Sequence, residues 1–385
     1  MAGTESVPYW RLSSFYFFYF ASLGALVPFW GLYLRDQGFT ALDIGQLMAI
    51  LMATKIVAPN IWGWIADLTG RRVHIVQLAS LLSFGVFIGV FFADGFWTLA
   101  LVMSLFSFFW NASIPQMEAV TFNHLGSQLH RYSTIRLWGS IGFIITVAGL
   151  GQALEWTDTG LIPQVVLVLY VGIWLASLMV PESAHDHPAE HGGRIWGLLK
   201  RPEVVAFFFA CFMLQASHGA YYTFYSIYLQ DHGYSKTLIG GLWALGVIIE
   251  VLVFLVMHRL LRRFRARRVL IASLILAVLR WLLIGAFPDA LWILLFAQLL
   301  HAATFGTFHA SSIHLVHHYF TGRFQVRGQG LYSSLSYGAG GAVGALASGY
   351  LRSDGGAFVT FAAASVMALL GTIAAWIWVD RAHRF

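Results

Sequence analysis

Charge is what this sequence has least of. Only 10% of its 385 residues are Asp, Glu, Lys or Arg, while 58% are hydrophobic, and the mean hydropathy is +0.72. Ordinary soluble domains are about 25% charged, so a water-soluble protein is excluded and the solvent of this chain is lipid. Cysteine is almost absent: the single Cys211 excludes an internal disulfide framework and a Cys-rich metal centre. Long polar stretches are also missing, apart from PESAHDHPAEHGGRIWGLLKRPE at residues 181–203. Before Tyr9 there is no basic n-region and no small-residue cleavage site, so the first hydrophobic segment is expected to stay with the chain.

What fills the sequence instead is apolar runs of a length that matters. About 20 such residues cross a hydrocarbon core of roughly 30 Å as a helix, and helices satisfy their own backbone hydrogen bonds there. Hydropathy between charges predicts twelve transmembrane helices, near 12–34, 42–64, 73–93, 96–122, 134–154, 160–180, 204–229, 237–257, 269–287, 290–314, 330–350 and 356–379. An even number puts both termini on one side. Seventeen Lys and Arg residues fall on that side, against Arg35, Lys236 and Arg352 on the other. The imbalance predicts a multi-pass inner (plasma) membrane protein with both termini in the cytoplasm. The net charge of +6 is therefore loop charge that sets orientation, not a nucleic-acid surface.

The polar segment divides the chain into a six-helix bundle at 1–180, a cytoplasmic linker at 181–203 and a second six-helix bundle at 204–385. The halves repeat each other. ASLGALVPFWGLYLRDQGFTALDIG from Ala21 aligns without a gap with ASHGAYYTFYSIYLQDHGYSKTLIG from Ala216, sharing Gly24/Gly219, Phe29/Phe224, Tyr33/Tyr228, Asp36/Asp231, Gly38/Gly233 and Gly45/Gly240. A parallel repeat of this kind is the architecture of carriers whose two bundles rock around a site at mid-membrane. The same register sets Lys55 opposite Glu250.

Five charged residues lie inside predicted helices: Lys55, Glu118, Arg136, Glu250 and Arg280. Each costs on the order of 2.5–3.5 kcal/mol at the membrane centre, so such residues are expected to be paired or wet and to mark a pathway. Glu118 and Arg136 stand nine residues either side of Ser127 in the hairpin 110–143, which brings them to one depth as a buried pair. Glu250, Arg280 and His301 form a second polar centre at a similar depth. Each site has a structural reading beside the functional one. Glu118 with Arg136 serves as a scaffold ion pair, Lys55 pairs permanently with Glu250, or His301 is a core histidine bonded to a carbonyl.

The turn after the second helix reads GWIADLTGRR, with Gly63, Asp67, Gly70, Arg71 and Arg72 at the GxxxDxxGRR spacing of the major facilitator superfamily. The resemblance implies a cytoplasmic gate containing Asp67 and Arg71. The hairpin resembles that of the lactose permeases through Asn111, Pro115, Glu118, Arg136, Gly139, Gly142 and Phe143. GVIIEV, VLRWLLIG and LLHAATF resemble the charged segments of helices eight, nine and ten in that family. The resemblance implies that Glu118, Arg136, Phe143 and Glu250 bind substrate, with Phe143 in the place of a stacking tryptophan, and that Arg280 and His301 belong to proton coupling. Thr304 stands where those permeases carry a proton-releasing glutamate, Tyr221, Tyr222 and Tyr225 replace their helix-seven acids, and Lys55 is an added charge. These departures look like the phenylpropionate permease family, relatives thought to move small aromatic carboxylates with protons.

The expectation is an all-α carrier rather than an enzyme, a monomer that imports a small organic substrate with protons and needs no cofactor or metal. Lys55 and Arg136 attract a carboxylate, and Trp138, Phe143, Tyr221, Tyr222 and Phe305 supply rings. Glu250, Arg280 and His301 relay the proton. A sugar or nucleoside is the alternative substrate. A binding-only sensor on the same fold, and a membrane di-iron enzyme using the HxxHH box of His314, His317 and His318 or the His185, His187, His191 tract, are the rivals from other classes. The glycine-rich run from Ser336 reads as close helix packing.

Overall fold

A computed structural model describes residues 7–182 and 195–380. The expected linker falls mostly outside the described residues, as do His185, His187, His191, Arg194, Arg381 and Arg384. Among the described residues the structure is helical, with no strand. The spanning helices are α1 (Tyr9–Asp36), α2 (Ala41–Thr69), α3 (Arg72–Phe87, ending in the 3-10 turn Ile88–Phe92), α4 (Phe96–Leu125), α5 (Tyr132–Ala153), α6 (Leu161–Met179), α7 (Pro202–Asp231), α8 (Lys236–Arg263), α9 (Ala266–Ala286) and α10 (Leu291–Tyr319). The last run, Gln325–Trp378, has 54 residues, more than twice one crossing. Gly356 breaks it at φ 79°, ψ −174°, a conformation glycine adopts readily. The run is therefore two crossings, α11 (325–355) and α12 (357–378), and twelve helices result. The sequence places each of them within a few residues, though it ends α2, α8, α10 and α11 too early because their last turns are polar.

The repeat is visible in the turns. Thr40 caps α2 by accepting from Asp43 N at 3.2 Å while the Asp43 carboxylate accepts from Thr40 N at 3.0 Å, a reciprocal capping box. Ser235, the equivalent residue, caps α8 by accepting from Leu238 N at 3.2 Å. The glycines two residues before these caps, Gly38 and Gly233, have φ of 87° and 78°.

The start of α1, Tyr9, and the end of α12, Trp378, lie on what we term the terminal face; Arg35, at the other end of α1, marks the Arg35 face. In the first six helices α1 packs on α5 and α6, and α3 on α4 and α6; in the second, α7 packs on α11. Glycine sets the approach. A Cβ on Gly24 of α1 would stand 2.8 Å from Phe143 O of α5, and one on Gly340 of α11 would stand 2.7 Å from Phe212 O of α7. The two sets meet along α2 with α11 and α5 with α8. There the equivalent residues Gly45 and Gly240 carry the seam: a Cβ would stand 2.5 Å from Gly349 Cα and from Val147 O respectively. Small residues allow such backbone contact in membranes.

Candidate functional site: a charged chamber between the two helix sets

Between the two sets lies a cavity of about 220 Å³. Its walls come from both repeats in register. Met48, Met52 and Lys55 on α2 line one side, and their equivalents Trp243, Val247 and Glu250 on α8 line the other. The spacing i, i+4, i+7 keeps each trio on one helix face. Helix α5 adds Arg136, Ser140 and Phe143, again one face, and α7 adds Gln215, Gly219, Tyr222 and Thr223. Phe20, Phe305, His301 and Tyr337 complete the polar and aromatic lining.

The two chamber cations of the first helix set, Lys55 and Arg136, have no acidic partner within 4.0 Å among the described residues. Lys55 Nζ meets only the Met52 sulfur, at 3.5 Å. The guanidinium of Arg136 lies 3.7 Å from the centre of the Phe20 ring and 5.7 Å from that of Tyr16, cation–π contacts worth about 0.5–2 kcal/mol. Across the chamber the carboxylate of Glu250 stands 3.6 Å from His301 Nε2. Lys55 and Glu250 form no ion pair.

Several expected site residues are placed elsewhere. Glu118 does not pair with Arg136; its carboxylate accepts from the Tyr132 hydroxyl at 3.2 Å, and it is not on the chamber wall. Trp138 is two residues from Arg136 and so on the other side of α5; its indole donates to the Tyr9 hydroxyl at 3.1 Å, near the terminal face. Tyr221 turns away from the chamber and donates to Gln298 Oε1 at 3.0 Å. Arg280 is fully buried and does not pair with Glu250. It donates to Ala297 O, Thr304 Oγ1 and Gln298 Oε1 at 3.0, 3.1 and 3.2 Å, with the rings of Tyr221 and Trp281 4.4 and 4.7 Å from its guanidinium. Phe20, Met48, Gln215, Trp243 and Tyr337 are chamber residues that sequence reasoning missed. Extending the repeat register around Lys55 and Glu250 finds Met48 and Trp243; the others need the tertiary contacts.

At the α2–α3 turn Asp67 pairs with Arg72, not Arg71, and Arg72 also donates to Gln116 Oε1 at 2.6 Å. Gly70 ends α2 at φ 66°. A Cβ on Gly63 would stand 3.5 Å from Gln116 Nε2. The motif thus ties α2, α3 and α4 together at the terminal face. His314 and His318 border a recess with Arg265 and Asp380, and among the described residues no three His, Cys, Asp or Glu side chains gather as a metal site.

The sets are tied unequally at their two ends. Arg35 donates to Asp231 at 2.9 Å and to Gln230 at 2.7 Å, Lys236 donates to Leu154 O at 3.1 Å, and Thr237 N donates to the Glu155 carboxylate at 2.8 Å. All four lie at the Arg35 face. Toward the terminal face the described hydrogen bonds between the sets reduce to Asn60 donating to Ser334 at 3.4 Å.

Residues 9–363 match the model of the MFS_1 like family. The chain is 31% identical over 352 residues, 87% of its length and 89% of the relative's, to the "Probable 3-phenylpropionic acid transporter" of Escherichia coli (strain K12). It is 26% identical over 345 residues to the maltose permease of Geobacillus stearothermophilus, covering 88% of this chain and 86% of that one. A crystal structure of the nucleoside transporter NupG shares the fold with a TM-score of 0.83 at 17% identity, over 96% of this chain and 98% of that one.

Proposed function

Because the chain belongs to the MFS_1 like family of major facilitator transporters, we propose that it imports a small aromatic carboxylate together with a proton by alternating access of its two six-helix halves. The observation that carries this reading is the pair of cations, Lys55 and Arg136, facing one chamber with no acidic partner. Lys55, Arg136 and Arg280 against Glu118 and Glu250 leave one positive charge in excess inside the membrane, and a monovalent anion neutralises it. Such a charge needs a partner at that depth.

The walls fit the rest of the substrate. Phe20, Phe143, Tyr222, Trp243 and Phe305 offer ring faces and edges, and aromatic pairs contribute about 0.5–1.5 kcal/mol beyond burial. A cavity of 220 Å³ is below the ~300–1,000 Å³ that drug-sized ligands occupy, which favours a single-ring acid over a disaccharide. Glu250 with His301 at 3.6 Å supplies a carboxyl group to carry the proton, in the absence of an acid at Thr304. Arg280, bonded to neutral groups, holds the Gln298–Thr304 stretch behind them.

With the basic loops inside, the termini are cytoplasmic, the membrane is the plasma (inner) membrane, and the tied Arg35 face is the outer gate of a monomer open toward the cytoplasm. A neutral sugar or nucleoside is the second reading. Gln215 Nε2 and Thr223 Oγ1, at the chamber and without hydrogen-bond partners, favour it.

The test is uptake into membrane vesicles of labelled 3-phenylpropionate, maltose and uridine, each with and without a pH gradient. Gradient-driven accumulation of the carboxylate is expected, and Lys55→Ala abolishes it. Accumulation of maltose or uridine alone supports the second reading, and full carboxylate uptake by Lys55→Ala removes Lys55 from the site.

A further inference from the structure

One cluster of titratable side chains stands just behind the chamber wall and has no part in the scheme above. His309 lies two turns beyond His301 on α10, toward the terminal face. Its Nδ1 is 2.9 Å from the Tyr337 hydroxyl and 3.3 Å from the Tyr332 hydroxyl, and the two hydroxyls are 3.4 Å apart. Tyr337 is itself a chamber residue, so the histidine is joined to the substrate space through one phenol.

Glu250 of α8 faces the same helix between its two histidines. Residues Ala302–Thr307 form a π-helical segment, a widened turn frequent at functional sites. Gly306 within it presents bare backbone, and a Cβ there would stand 3.1 Å from Glu250 Cγ. The carboxylate of Glu250 is 3.6 Å from His301 Nε2 on one side, and His309 follows Gly306 by one turn on the other.

We propose that His309 is the group that takes the transported proton from Glu250 and releases it at the terminal face. The inference rests on the proton-coupled reading above. In the step, the O–H bond of the Glu250 carboxylic acid breaks and its proton passes, directly or through a chamber water, to the Tyr337 oxygen. The hydrogen of that phenol moves to His309 Nδ1 at the same time. Tyr337 remains a neutral phenol, Glu250 becomes a carboxylate, and His309 becomes an imidazolium that loses a proton from Nε2. The groups that bear on His309 are Tyr332 and Tyr337 of α11, Glu250 of α8 and Arg136 of α5. Cys211 of α7 lies beside the two tyrosines.

A histidine bonded to two tyrosines is otherwise a tie between α10 and α11, and the experiment separates the two roles. Full-length protein in proteoliposomes is assayed in two ways with labelled 3-phenylpropionate. One is accumulation driven by a pH gradient, with proton flux followed by a trapped dye. The other is exchange of internal for external substrate at equal pH, which moves no net proton. His309→Gln keeps a hydrogen bond to Tyr337 but cannot carry a proton. It is expected to exchange like the wild type while gradient-driven accumulation falls about a hundredfold, the low end of what positioned proton-transfer groups contribute. Undiminished accumulation by His309→Gln overturns the inference, as does loss in His309→Ala alone, which marks a structural tie. A wild type indifferent to the gradient overturns the coupled reading itself.

Discussion

Arg280 shows how a buried charge is kept without a counter-charge. Three neutral acceptors and two ring faces hold its guanidinium, and planar geometry makes arginine suited to that role where lysine is not. Arg280→Leu takes the guanidinium donor from Ala297 O and Thr304, at about 1–3 kcal/mol for each buried group left unsatisfied, while Gln298 keeps the Tyr221 hydroxyl. The melting temperature of the detergent-purified protein is expected to fall for Arg280→Leu and to hold for Lys55→Leu, because Lys55 bonds nothing but a methionine sulfur. At this scale the sequence identifies which residues are charged and at what depth, since hydropathy marks the interruption. It does not set the phase of the helix. Their chemistry suits Trp138 and Tyr221 to the chamber, but Arg136, Ser140 and Phe143 define the inward face of α5, and Gln215, Gly219, Tyr222 and Thr223 that of α7. Glu118 failed for a different reason: the Phe20 ring, brought in by α1, takes the place beside Arg136.

Elements are where the sequence was most legible. Length and composition place every span, and the 54-residue run is divided into two crossings by the glycine at its break. The caps of α2 and α8 also follow the repeat, because Thr40 and Ser235 occupy one register. What a single sequence does not reveal is which glycines face another helix and which face lipid. Gly240 sits on the seam between the two helix sets, whereas Gly340 sits between α7 and α11 within one set. Gly240→Leu is therefore expected to wedge the Arg35 face open in a folded protein. A cysteine placed at Val27 of the chamber wall would then react faster with an impermeant maleimide from that side. Gly340→Leu is expected to lower the yield of monodisperse protein instead. Equal labelling with and without Gly240→Leu would show that the seam does not hold the gate.

For the whole molecule, the duplicated fold puts opposite signs at one repeat position, Lys55 and Glu250, on the two helix sets. The chamber is thus polarised: cationic along α2 and α5, anionic along α8. On the proposed function, a monocarboxylate is expected to enter with its charged end toward the first helix set and its ring toward the second. A dicarboxylate of similar length brings its far charge against Glu250, and like charges at close range exclude a ligand more effectively than poor packing does. Such a dianion is admitted only while Glu250 carries a proton, so its uptake should decline more steeply with rising pH than that of the monoanion, measured side by side in the same vesicles. Parallel pH profiles would show that the two ends of the chamber are electrically alike. Repetition of one six-helix pattern with opposite charges at a shared register thus yields a chamber whose two sides are electrically unlike.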